Sequence, residues 1–129
     1  YNRQEETRGQ TELALPAVSQ VIQDGLAFDT VVALNDRAAI GALAAIKENQ
    51  LAQPISIYGI DGSPDMKVLL STTDDIEGTV AQSPLKMGRQ VMQVIECMRT
   101  GKSYKEQYKI PVEMIDKDNV DRYDVNGWQ

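Results

Sequence analysis

Three polar side chains, each at the end of a short apolar run, are the residues of this chain best suited to binding a ligand. They are Asn35, Asp61 and Gln82. An ionised aspartate accepts hydrogen bonds from two neighbouring hydroxyl groups, whereas the amides of asparagine and glutamine both donate and accept. This mixture favours an uncharged, polyhydroxylated ligand such as a sugar over an anion. Asparagine and aspartate also begin turns frequently, so a purely structural role for these residues stays open at this point.

The apolar runs that precede these side chains are predicted to be parallel β-strands. Residues 31–35, 55–61 and 78–82 are short, rich in β-branched side chains and almost continuously apolar, which favours strands buried on both faces. Helical patterns fill the intervals, and this alternation predicts an α/β lobe with a parallel sheet, βαβ crossovers and helices on both faces. Because ligands bind beyond the carboxyl ends of parallel strands, the three polar side chains should converge on one rim of the sheet.

Capping residues predict where the helices begin and end. The first helix should cover residues 5–23, with Leu13 facing inward and Pro16 breaking or kinking it. Asp36 is the expected N-cap of the second helix, and the pairs Ser63-Pro64 and Ser83-Pro84 should begin the third and fourth. Gly101 should end the fourth helix. The inward face of that helix is expected to consist of Met87, Val91, Val94, Ile95 and Met98.

The segment after the fourth helix is predicted to hold one more strand and a surface tail. Residues 108–115 are β-prone, and the chain from Asp116 onward is acidic and polar. Trp128 is expected to pin this tail as a hydrophobic anchor, and the alternative is that its ring stacks on a ligand.

The composition excludes several classes of chemistry. The 129 residues include thirteen basic and nineteen acidic side chains, which give a net charge of −6, together with no histidine and one cysteine. The absence of histidine excludes Ser-His and Cys-His nucleophile pairs and His-ligated zinc. An acidic chain has the wrong sign for binding nucleic acid. We therefore expect no catalytic residues, no metal and no cofactor. No apolar run in the sequence is long enough to span a membrane.

Three segments resemble motifs of the type I periplasmic sugar-binding proteins, the ribose-binding proteins in particular. Residues 35–42 read NDRAAIGA, which is similar to the family's ND-x-x-A-x-G-A. Residues 58–64 read YGIDGSP, which is similar to x-G-F-D-G-T-P. Residues 78–84 read GTVAQSP and are followed by Met87-Gly88, as in x-T-I-A-Q-x-P…MG. The motifs occur in the same order at matching separations, and the similarity runs across essentially the whole chain.

The resemblance implies a two-lobed fold of which this chain is one part. Residues 1–129 would form the carboxy-terminal part, from which Asn35, Asp61 and Gln82 contact the sugar, and the amino-terminal lobe would be absent. Gln4 occupies the position at which the family usually presents a sugar-stacking aromatic ring. The strand expected beside residues 31–35 would precede Tyr1, so an unpaired strand edge predicts self-association of the isolated chain.

Two functions are compatible with this resemblance. The first is a non-catalytic solute-binding component that captures a sugar outside the cytoplasm, in the periplasm or as a cell-surface lipoprotein, and delivers it to the membrane permease of an ABC-type importer. The second is the effector-sensing domain of a lactose-repressor-type transcription regulator. The acidic tail with Val120, Tyr123 and Trp128 resembles the ends of exported binding proteins, which favours the first function.

Overall fold

Helices and strands alternate along the chain, as the sequence predicts. The computed structural model describes residues 3–129, and Tyr1 and Asn2 lie outside the described residues. The elements are α1 (Thr11–Gln23), β1 (Thr30–Val32), α2 (Asp36–Glu48), β2 (Ser56–Asp61), α3 (Pro64–Thr72), β3 (Ile76–Ala81), α4 (Pro84–Thr100), β4 (Glu113–Asp116) and a short 3-10 helix (Val120–Arg122). Within the described part of the chain, no helix has the length and apolarity that crossing a bilayer requires.

The strands form one sheet in the order β1-β2-β3-β4. β1 pairs with β2 and β2 pairs with β3 in parallel, whereas β4 runs antiparallel to β3. The predicted α/β class and parallel sheet are confirmed. The β-prone segment at residues 108–115 forms a strand only from Glu113 onward, and that strand extends the sheet beside β3.

β1 lies at the open edge of this sheet. Val32 in β1 and Leu34 just after it are both 77% exposed, so the predicted burial of this strand on both faces is wrong. The reason is its position, because within residues 3–129 β1 has a neighbouring strand on one side alone. Ile57 and Ile76, in β2 and β3, are fully buried.

α1 begins later than predicted and packs through a different face. Residues 5–10 are not helical, and the helix continues through Pro16 without breaking. Leu13 is exposed and Ala14 is buried, because α1 approaches α2 at Gly41. A Cβ atom on Gly41 would lie 2.7 Å from both the Cβ of Ala14 and the carbonyl oxygen of Thr11. This close approach turns Ala14, rather than Leu13, toward the core.

The predicted beginnings of α3 and α4 and the predicted end of α4 are confirmed. The Ser63 side chain accepts a hydrogen bond from the backbone N–H of Met66, and the Ser83 side chain accepts one from Lys86. A proline follows each serine at the first helical position. Gly101 ends α4 in the left-handed conformation with φ of 67°.

The apolar face of α4 is uncovered. Met87, Val91, Ile95 and Met98 are between 38% and 56% exposed. No residue of α4 is fully buried in the described part of the chain. The prediction that this face packs inward is therefore wrong within the described part of the chain. An apolar stripe indicates that a helix side is suited to burial, but it carries no information on which partner covers it.

Candidate functional site

Asp61 and Gln82 meet at the rim of the sheet. Asp61 is the last residue of β2 and pairs with Ala81, the last residue of β3, so Gln82 follows immediately beside it. The Gln82 side-chain N–H donates to Oδ1 of Asp61 over 3.4 Å, and its backbone N–H donates to the Asp61 carbonyl over 3.1 Å. The parallel sheet thus brings together two of the three residues singled out from the sequence.

The side chain of Asn35 is held at the start of α2. Its Oδ1 accepts a hydrogen bond of 2.9 Å from the backbone N–H of Ala38, and its Nδ2 donates to the Gly9 carbonyl over 3.0 Å. Asn35 is therefore the N-cap of α2, and the expectation that Asp36 caps this helix is wrong. One N–H and one acceptor position of the amide have no partner among residues 3–129, so part of its hydrogen-bonding capacity is available.

Asp36 is a buried acid whose carboxylate bonds to other elements of the fold instead of capping α2. It is fully buried, and its Oδ2 accepts a hydrogen bond of 2.7 Å from the backbone N–H of Ser63. Its Oδ1 accepts one of 2.6 Å from the hydroxyl of Thr79, which in turn accepts from the backbone N–H of Gly62. These bonds fix the turn that follows Asp61. Gly59 is the sequence feature that could have indicated this buried contact, because a glycine inside a strand often marks the close approach of another group. A Cβ atom on Gly59 would overlap the Asp36 carboxylate.

The surroundings of Asp61 at the rim raise the pKa of its carboxyl group. Burial raises the pKa of Asp61, and the charge of Asp36 raises it further, while a backbone hydrogen bond from Asp36 opposes the rise. Burial also raises the pKa of Asp36, against the hydrogen bonds from Thr79 and Ser63. Asp61 has a φ of 138°, a strained backbone conformation for a residue other than glycine. Such strain is often found where a side chain must be aimed at a ligand.

A buried lysine holds the tail against this rim. Lys67 on α3 is fully buried, and its Nζ donates hydrogen bonds of 2.6 Å to the carbonyl oxygens of Asp124 and Gly127. Burial lowers the pKa of Lys67, and the nearby charge of Asp124 opposes the change. The Gln129 side chain donates to the carbonyls of Gln82 and Asp61, at 2.9 and 3.4 Å. The tail therefore ends across the carboxyl ends of β2 and β3.

Trp128 does not pin the tail, which corrects the prediction that it acts as a hydrophobic anchor. Trp128 is 46% exposed, and the bonds of Lys67 and Gln129 hold the chain on either side of it. No local sequence pattern predicts this role of Lys67, because its partners lie 57 to 62 positions further along the chain.

An open cavity of about 450 Å³ lies at this rim. Its lining combines one carboxylate, one amide, one aromatic ring and three apolar side chains: Asp61, Gln82, Trp128, Pro84, Leu85 and Met87. Pockets for small molecules typically combine an apolar lining with a few polar groups that orient the ligand. Among residues 3–129, no group of three or more His, Cys, Asp or Glu side chains is arranged to hold a metal ion.

Residues 2–103 match the periplasmic binding protein domain family. The chain belongs to this family. The resemblance stated from the three motifs is thereby confirmed.

Two curated relatives are similar to this chain. The D-galactose/methyl-galactoside binding periplasmic protein MglB of Haemophilus influenzae is 31% identical over 102 residues, which cover 72% of this chain and 30% of that protein. A putative rhizopine-binding protein of Rhizobium meliloti is 28% identical over 97 residues, which cover 74% of this chain and 31% of that protein. The chain thus matches less than a third of the length of these relatives.

Solved structures of solute-binding proteins share the fold. An ABC transporter periplasmic solute-binding protein from Actinobacillus succinogenes with bound D-allose superposes with a TM-score of 0.86 at 22% identity, over 92% of this chain and 42% of that one. A solute-binding protein from Bacillus halodurans with bound myo-inositol gives a TM-score of 0.84 at 23% identity, over 91% of this chain and 40% of that one. At these identities the likeness shows that the α/β fold is common to all three.

Proposed function

We propose that the protein containing this chain captures a sugar or a cyclic polyol and delivers it to the membrane permease of an ABC-type importer, without catalysing a reaction. The observation that carries the proposal is the contact between Asp61 and Gln82 at the carboxyl ends of two parallel strands. Ligands of open α/β sheets bind at this place, and the two side chains offer acceptors and donors to hydroxyl groups. The sugars and cyclitols named for the family members above support this ligand class.

The proposed contact residues are Asp61, Gln82 and Asn35. Asp61 accepts hydrogen bonds from two ligand hydroxyls, Gln82 both donates and accepts, and Asn35 contributes the N–H and the acceptor that its cap does not use. Asp36 acts through the backbone, because its bonds to Ser63 and Thr79 fix the turn that carries Asp61.

We propose further that residues 1–129 are the carboxy-terminal part of a two-lobed protein. The uncovered apolar face of α4 supports this, because Val91, Ile95 and Met98 are between 49% and 56% exposed in the described chain. A second lobe would cover this face and close over the ligand. The location that fits this function is outside the cytoplasm, in the periplasm or at the cell surface as a lipoprotein, and the periplasmic relative MglB supports the periplasm.

The isolated 129-residue chain is proposed to self-associate. The free edge of β1 carries the exposed Val32 and is followed by the exposed Leu34, and an apolar strand edge is a template for pairing with another chain. We expect this association only of the isolated chain, because an edge of β1 that is covered in the intact protein has no unpaired backbone N–H and C=O groups.

Calorimetric titration of the intact protein with D-galactose, D-allose and myo-inositol tests the function. We expect binding of at least one of them, and a loss of about tenfold or more in Asp61→Ala, because a hydrogen bond to a charged group contributes about 1.5–3 kcal/mol. Asp74→Ala is the matched control, since the side chain of Asp74 is fully exposed and remote from the rim. Unchanged affinity in Asp61→Ala would remove Asp61 from the site.

The same titration on the isolated 129-residue chain tests the two-lobed arrangement. One lobe leaves half of the ligand in water, so we expect weak binding that is detectable only at about millimolar concentration. A micromolar dissociation constant for the isolated chain would contradict the need for a second lobe.

A further inference from the structure

The cavity at the rim is lined in part by Trp128, which is not among the proposed contact residues. We propose that the indole of Trp128 is a sugar-binding surface, on which the C–H face of a ring-shaped sugar or cyclitol stacks while Asp61 and Gln82 bind its hydroxyl edge. This inference rests on the proposed function and adds a residue of the tail to its site.

The exposure of Trp128 is the first observation that supports it. Trp128 is 46% exposed, although its side chain is the largest apolar one in the chain and the residue is one of six that line the cavity. Small-molecule sites typically combine aromatic and other apolar side chains with a few polar groups, as this cavity does.

The immobilised backbone around Trp128 is the second observation. The preceding residue, Gly127, accepts a 2.6 Å hydrogen bond from the buried Nζ of Lys67. The following residue, Gln129, accepts one at its carbonyl from the hydroxyl of Ser83 and donates one of 2.9 Å to the carbonyl of Gln82. The backbone that carries the ring is therefore ordered in advance of binding, and a ligand would spend little free energy on ordering this segment.

The chemistry of the cavity matches a ring rather than an open-chain polyol. A pyranose or cyclitol ring presents hydroxyl groups around its edge and C–H groups on its faces. Asp61 and Gln82 suit the edge, whereas the indole face and the side chain of Leu85 suit the C–H groups. The volume of about 450 Å³ lies within the range of small-molecule pockets.

Calorimetry on the intact protein tests this role with the ring-shaped probes D-galactose, D-allose and myo-inositol. We expect Trp128→Ala to weaken binding of the bound probe by about tenfold and Trp128→Phe to stay within about threefold of the wild type, because phenylalanine retains an aromatic face. Tyr104→Ala is the matched control, since Tyr104 is 47% exposed and lies outside the cavity lining. Its affinity should be unchanged.

Fluorescence gives a second reading that does not depend on the folding of the alanine variant. The difference in emission between the wild type and Trp128→Phe isolates the signal of Trp128, and saturating ligand should shift it. Equal affinity in Trp128→Ala and the wild type, or an emission difference that ligand leaves unchanged, would overturn the role of Trp128 while leaving the proposed function intact. If the wild type binds none of the probes, the proposed function fails, and the stacking role fails with it.

Discussion

The hydroxyl of Thr79 donates a 2.6 Å hydrogen bond to Oδ1 of Asp36, and both residues are fully buried. This bond joins β3 to the first turn of α2, although the two residues are 43 positions apart. The same hydroxyl accepts from the backbone N–H of Gly62. Thr79 and Asp36 together therefore hold the turn that follows Asp61.

Replacing Thr79 with valine should destabilise the protein and weaken ligand binding. The variant leaves the N–H of Gly62 and an oxygen of Asp36 buried without partners, at a cost of about 1–3 kcal/mol in the free energy of unfolding. Urea titration of the intact protein, followed by circular dichroism, measures this change. Thr79→Ser is the control, because it retains the hydroxyl and should lose less. Equal stability of the valine variant and the wild type would show that these bonds contribute nothing.

Ligand affinity should fall on acidification at a higher pH than an ordinary aspartate would produce. Burial and the charge of Asp36 raise the pKa of Asp61 above its usual value. The ionised carboxylate is the acceptor for ligand hydroxyls, so protonation removes an acceptor and affinity declines as the pH falls through this raised pKa. Calorimetry from about pH 7 to about pH 4 measures the profile. Asp61→Asn should bind more weakly and with a flatter profile, and an equally steep decline in that variant would assign the titration to another group.

Gly41→Ala should separate α1 from α2. The added methyl group would lie 2.7 Å from the Ala14 Cβ and the Thr11 carbonyl oxygen, and overpacking of this kind costs about 1–3 kcal/mol. Gly88→Ala is the matched control, because Gly88 is also helical and nothing lies within 4 Å of its added Cβ. That variant should gain about 0.5–1 kcal/mol from helix propensity. Thermal melts of the 129-residue chain compare the two, and a melting temperature that is unchanged in Gly41→Ala would contradict the close packing.

Lys67→Met should release the tail. Without Nζ, the carbonyl oxygens of Asp124 and Gly127 lose their charged donor, and each such bond contributes about 1.5–3 kcal/mol. Hydrogen exchange of residues 124–129 should accelerate, while Lys109→Met, at an exposed lysine, should leave it unchanged. Full protection of the tail in Lys67→Met would show that Gln129 and Ser83 hold it without the lysine.

Val32→Lys should reduce self-association of the isolated chain. A lysine on an edge strand places a charge where a second strand would pair, which opposes edge-to-edge contact. Light scattering across a dilution series measures the effect, with the exposed Val91→Lys on α4 as the comparison. A wild-type chain that is monomeric at every concentration would contradict association through β1.

The elements that the sequence predicted correctly are those determined by neighbouring residues. Ser63-Pro64, Ser83-Pro84 and Gly101 specify helix ends through bonds and dihedral preferences within a few positions. The parallel pairing of β2 and β3 follows from their intervening helix, and it places Asp61 beside Gln82.

Features that depend on distant residues were not predicted. Lys67 looks like an ordinary helix-surface lysine, and its burial arises from carbonyl groups of the tail. The amide of Asn35 can cap a helix or bind a ligand with the same atoms, so its residue type alone does not separate the two roles. The apolar stripe of α4 is evident from the sequence, but the partner that would cover it is not among the described residues.

The backbone of Asp61 has a consequence for how variants of this protein would respond to selection. At a φ of 138°, glycine would avoid strain that costs an aspartate about 1–3 kcal/mol. Asp61→Gly therefore relieves the backbone while it removes the proposed acceptor for the ligand. Screening a library for heat resistance alone should enrich glycine at this position, whereas screening for ligand uptake should retain the acid. The two selections would drive one codon in opposite directions.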